Sequence, residues 1–96
     1  MKLAIIIYGT PIDPEVTEAV EALGLDSYTK WREVLGKGRA SGPHLDTHVW
    51  PGTNTVIMIA LADDRVAALV DALKLIKERL SHEGLKLYLL AAEEAL

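Results

Sequence analysis

The chain has no cysteine and no phenylalanine among its 96 residues, and its aromatic rings come only from two Trp and three Tyr. The absence of cysteine excludes disulfides and thiolate metal sites, and leaves the redox compartment unread. The scarcity of rings means that the core has to be aliphatic, built from Ile, Leu, Val and Ala. Positive charge is also short: ten Lys and Arg stand against fourteen Asp and Glu, for a net charge of −4. That balance argues against non-specific nucleic-acid binding, which works by neutralising phosphates. No apolar run is long enough to span a bilayer. The opening MKLAIIIYG carries one lysine and too short an apolar stretch for a secretory signal with its cleavage site. A single cytoplasmic domain over residues 1–96, with no direct membrane insertion, is expected.

What is present is a regular alternation of strand-like and helix-like stretches. Residues 2–8 are apolar and rich in isoleucine, and read as a strand buried on both faces. Gly9-Thr10-Pro11 ends it. Asp13 is the expected N-cap of a first helix, with Pro14 at its first position, where the missing N–H costs nothing. Val16, Ala19, Val20 and Leu23 form one apolar stripe, with Glu15, Glu18 and Glu21 facing away. Gly24 is the expected left-handed residue past its end. A second strand is expected over 26–35. Trp31, Val34 and Leu35 do not share one parity, so a bulge is expected in it. Residues 54–61 read as a third strand. Asp63 is the expected cap of a second helix, whose stripe is Val66, Leu69, Val70, Leu73, Ile76 and Leu80, with Gly84 as its stop. Residues 85–90 read as a fourth strand.

The order β-α-β-β-α-β predicts an α+β, ferredoxin-like sandwich: an antiparallel four-stranded sheet with two helices on one face. Such a sheet normally alternates apolar and polar side chains, because its second face meets water. Strands one, three and four do not alternate. Ala4 and Ile6 are as apolar as Ile5 and Ile7; Val56 and Met58 match Ile57 and Ile59. A naked aliphatic face would exceed what monomers carry, so another copy of the chain is expected to cover it. Ile6 and Met58 are expected to face that inter-subunit core.

The stretch 36–52 joins the two central strands and carries most of the candidate chemistry. Gly36-Lys37-Gly38-Arg39 offers backbone N–H groups and two cations in a turn, the ingredients of an anion nest. The alternative is a strand-ending turn with solvated charges. His44, Asp46 and His48 follow at spacings that share one face of an extended segment, and are acceptable ligands for a divalent metal ion. The alternative is a polar loop with exposed histidines. Trp50-Pro51-Gly52 reads as an anchor of the loop onto the sheet edge. Catalysis finds little support: Ser27, Ser41 and Ser81 lack an adjacent base or a nucleophile elbow. The chain is therefore expected not to be an enzyme.

Gly24-Leu25, Tyr28-Thr29 and Val34-Leu35-Gly36-Lys37-Gly38-Arg39 together resemble the run that ends the second strand and opens the T-loop in the nitrogen regulatory PII signalling proteins. Asp63-Asp64-Arg65-Val66 resembles the start of their second helix. The resemblance implies a homotrimer with its sheets facing inward. It also implies an adenine nucleotide or similar anion held between subunits, and a signal passed through the loop to a regulated protein or transporter. Thr29, Gly36, Lys37, Gly38 and Arg39 are the matching ligand-binding positions. Two departures stand out. The loop is much shorter than a PII T-loop, and the basic glycine-rich phosphate loop after the second helix is replaced by Ser81-His82-Glu83-Gly84. The CutA-type divalent-ion tolerance proteins are a sibling likeness, through Tyr28, Trp31 and Gly36-Lys37. They imply the alternative of a metal-responsive protein using His44, Asp46 and His48.

Overall fold

The computed structural model describes residues 1–37 and 52–96. Four strands form one antiparallel sheet: β1 (Lys2–Gly9), β2 (Thr29–Val34), β3 (Asn54–Leu61) and β4 (Leu85–Ala91), in the spatial order β2-β3-β1-β4. Two helices connect them, α1 (Asp13–Ala22) between β1 and β2, and α2 (Val66–Arg79) between β3 and β4. This is the expected ferredoxin-like sandwich. Gly38, Arg39, His44, Asp46 and His48 lie outside the described residues, as does Trp50.

Strand parity sets what each face carries. Ala4, Ile6 and Tyr8 of β1 point to the helices, as do Ile57, Ile59 and Leu61 of β3. They close one core with Val16 and Val20 of α1 and Leu69, Leu73 and Ile76 of α2. Leu3, Ile5 and Ile7 take the opposite parity, with Val56, Met58 and Ala60 paired across from them. These line the open face, where no helix lies among the described residues. Tyr88 and Leu90 extend that face on β4 and are 53% and 48% exposed. The expectation of a sheet apolar on both sides is met. The placing of Ile6 is corrected: it is fully buried under the helices, and only Met58 of the two faces the open side.

The helix ends differ from expectation in an instructive way. A 3-10 turn, Thr10–Ile12, precedes α1, and another, Asp63–Arg65, precedes α2. Neither Asp13 nor Asp63 is an N-cap, because the chain begins to coil three residues before each α-helix proper. Asp63 instead pairs with the N-terminal ammonium at 3.1 Å. At the far end of α1 the reading holds. Gly24 adopts φ 79°, its N–H donates to the Glu21 carbonyl, and the Leu25 N–H reaches back to the Val20 carbonyl. That pattern is a Schellman motif, which glycine suits because a Cβ strains the left-handed turn. Gly84 does not stop α2. The helix ends at Arg79, and Ser81–Glu83 form a further turn before Gly84.

The expected bulge lies in β2. Trp31 pairs with Val56 and Val34 with Asn54, so three residues of β2 span two of β3. Glu33 sits at φ 58°, a left-handed conformation that side chains other than glycine seldom adopt. The bulge inverts the parity of the strand. Thr29, Trp31 and Val34 all end on the open face, while Lys30 pairs with Ile57 on the helix side.

Truncating the covered face should cost far more than trimming the strand end. Ile6→Ala is expected to lower unfolding free energy by about 2–5 kcal/mol. Leu35→Ala, at an exposed position, should change it by less than about 0.5 kcal/mol. Chemical denaturation of both variants measures the contrast.

Candidate functional site

The ends of β1 and β2 and the starts of β3 and β4 come together at one end of the sheet, where residues 36–52 lead from the edge strand β2 to β3. Both roots of that connection are pinned. At the outgoing root, Gly36 packs directly against the Asn54 side chain, and a Cβ there would collide with it. At the returning root, the Thr10 N–H donates to the Thr53 carbonyl at 2.9 Å. The Thr10 hydroxyl lies 2.9 Å from that of Thr53 and 3.0 Å from that of buried Thr55. Glu83 closes the same end by laying its carboxylate against Gly9, whose missing side chain makes the room. The Gly9 N–H donates to the Gly84 carbonyl at 3.1 Å.

Behind this end stands a polar hub that sequence reasoning did not identify. Asp13, only 7% exposed, accepts at one carboxylate oxygen from the Tyr8 hydroxyl at 2.6 Å and the Thr17 hydroxyl at 3.0 Å. The Lys30 ammonium lies 2.9 Å from the same oxygen and also donates to Thr17 at 2.7 Å. Arg32 approaches the other oxygen at 3.8 Å. The hub ties β1, α1 and β2 together just before the bulge. Burial pushes the Asp13 carboxyl upward, but hydrogen bonds from Tyr8, Lys30 and Thr17 outweigh it and hold the group below the ordinary carboxylate value. Burial, then the hydrogen bond to Asp13, raises the Tyr8 hydroxyl well above its usual range. A signal was present in the sequence: Tyr8 shares the parity of Ala4 and Ile6, and a buried tyrosine hydroxyl needs a partner.

Of the ligand-binding positions expected, three are described. Thr29 is exposed on the open face, opposite Met58. Gly36 and Lys37 are exposed beyond the end of β2. Thr29 and Gly36 do not converge within one chain, since seven residues of extended strand separate them by roughly 20 Å. Trp31, 46% exposed, lies between them on the same face. No group of three or more His, Asp or Glu able to hold a metal occurs among the described residues. A shallow groove beside the hub is lined by Thr17, Glu18, Glu21 and Lys30.

The Nitrogen regulatory protein P-II family matches residues 1–95 of the sequence. The chain belongs to that family. Solved structures agree on the fold. CPII, a nitrogen regulatory PII-like protein from Thiomonas intermedia bound to ADP, AMP and bicarbonate, superposes with a TM-score of 0.69 at 17% identity. That match covers 99% of this chain and 94% of CPII. The apo form of CPII gives 0.64 at 16% identity, over 93% of this chain and 89% of that one. A PII-like signalling protein from Thermus thermophilus gives 0.62 at 20% identity, over 92% and 81%. No curated protein matches the sequence. No helix among the described residues is long and apolar enough to cross a membrane.

The hub makes stability depend on acid. A carboxyl whose folded pKa is depressed contributes fully above its unfolded value, about 3.9. The contribution is lost as pH falls through the lower folded value. Asp13→Asn should therefore destabilise the protein by about 3 kcal/mol near neutrality, by leaving Lys30 uncompensated. The gap to the unsubstituted protein should narrow as pH falls below about 4. Denaturation midpoints across that range measure it; a gap that stays constant would place the stabilisation elsewhere.

Proposed function

We propose that the chain is a non-catalytic PII-type regulator. It works as a homotrimer that binds a small anionic effector, an adenine nucleotide or a similar anion, in clefts between subunits. It relays occupancy through residues 36–52 to a regulated protein or transporter. The observation that carries this reading is the open sheet face. Leu3, Ile5, Ile7, Val56 and Met58 form an aliphatic surface that two helices cannot reach, and a second and third copy of the same sheet bury it most simply. Family membership supports the regulatory role, and the nucleotide-bound CPII structures support the choice of effector.

Within this reading the pinned roots at Gly36–Asn54 and Thr10–Thr53 transmit a change at the cleft to the loop. Thr29, Gly36, Lys37, Gly38 and Arg39 are the proposed effector contacts. The protein is expected to act in the cytoplasm as one domain. The metal-responsive alternative, through His44, Asp46 and His48, is favoured by no observation on the described residues.

Isothermal titration with ATP, ADP, AMP and cyclic AMP tests the effector. Heat of binding is expected with at least one, and silence with all four would leave a regulator fold without this ligand class. Met58→Lys tests the assembly. A lysine on the open face should leave each chain folded and drop the light-scattering mass from three copies to one. A variant that stays trimeric and equally stable would show that Met58 does not face a partner.

A further inference from the structure

Glu33, near the end of β2, is the only residue other than glycine with a positive φ among the described residues. At φ 58° its Cβ crowds the following carbonyl, and its side chain is too long to compensate by a local hydrogen bond as Asn or Asp does. The bulge puts it there. Thr29, Lys30 and Trp31 pair with Met58, Ile57 and Val56, and Val34 then pairs with Asn54. Arg32 and Glu33 thus share the one place opposite Thr55, and every later residue is displaced by one from the register in which the strand began.

Continuing that first register gives a second pairing with no extra residue: Arg32 with Thr55, Glu33 with Asn54, and Val34 with Thr53. A shift of one residue turns each side chain to the other face. Bulged, the open face carries Thr29, Trp31 and Val34 from β2. Straight, it would carry Thr29, Trp31, Glu33 and Leu35. The straight pairing releases Glu33 from the left-handed conformation and turns Leu35, 82% exposed in the bulged form, toward the aliphatic face. Against that, it sets a carboxylate on the face and swings Gly36 away from the Asn54 side chain it packs against. Each pairing has a defect that the other lacks. Both keep Lys30 on Asp13, so the strand upstream stays fixed.

We propose that the end of β2 is a two-register joint, which slips between the bulged and the straight pairing downstream of Trp31. The slip moves the outgoing root of the connection 36–52 by one residue, roughly 3.3 Å. A charge is costly on a buried apolar face and cheap on a wet one, so covering the open face selects the bulged pairing. The joint gives the relay proposed above its moving part and rests on that reading for what drives it. The slip itself belongs to a single chain.

The chain has no cysteine, so introduced pairs report the register without background. Directly opposed residues of antiparallel strands can be bridged, whereas a residue one place out of register points to the other face and cannot. Val34→Cys with Asn54→Cys should close in the bulged register, and Glu33→Cys with Asn54→Cys in the straight one, in the same glutathione buffer. Without introduced cysteines, NMR relaxation dispersion should find exchange at residues 32–36 and Asn54, and none over 29–31. Glu33→Gly, which removes the cost of the left-handed conformation, should lower the straight population roughly tenfold. Met58→Lys, which wets the face, should raise it. A 33–54 pair that stays reduced while the 34–54 pair closes overturns the inference, as does exchange that Glu33→Gly leaves unchanged. Nucleotide titration is read separately: silence there overturns the effector reading and leaves the slip standing.

Discussion

A β-strand sends successive side chains to opposite faces, and in this chain that alternation cannot hide the aliphatic residues on one side. β1 and β3 carry isoleucine, valine or methionine at both parities, and β4 adds Tyr88 and Leu90 to the face without helices. Two helices of 10 and 14 residues cover one face of the sheet and close a core that contains Ile6, Ile57 and Leu69. The other face keeps its apolar surface with nothing from the described residues to bury it. The cost of leaving such a face in water scales with its area. The proposed assembly would bury that face.

The second constraint is the bulge in β2. One extra residue, with Glu33 in a left-handed conformation, reverses the parity of the strand just before the connection to β3. Upstream of it, Lys30 reaches inward to Asp13, and the hub of Tyr8, Thr17 and Lys30 fixes the strand against α1. Downstream, Val34 returns to the open face and Gly36 settles against Asn54. The strand is thus anchored on its inner side by charge and hydrogen bonds, and its outer side is left to Thr29 and Trp31. The proposed effector contacts at Thr29 and Gly36 would thus sit on a strand that is fixed on its inner side.

The sequence was legible where a pattern is local or periodic. Strand and helix order, the Gly24 turn and the bulge all followed from parity and from glycine chemistry. The family likeness followed from the residues around Gly36. Three features were less legible. The 3-10 turns before both helices moved Asp13 and Asp63 off the cap positions, because a turn of three residues leaves no periodic trace. Ile6 and Ile5 are interchangeable by composition, and only the pairing register shows that Ile6 lies under the helices. The Asp13 hub joins residues from three elements, a tertiary fact announced only by a tyrosine on the buried parity. Thr29 and Gly36 share a motif yet lie far apart along the strand.

Native mass spectrometry of the protein as purified addresses the covered face most directly, because it weighs the assembly and any retained ligand together. Three copies are expected, with added mass corresponding to as many as three nucleotides, one per cleft. A monomer at low micromolar concentration would contradict the reading. It would mean that the open face, with Ile5, Val56 and Met58 on it, tolerates water without a partner copy.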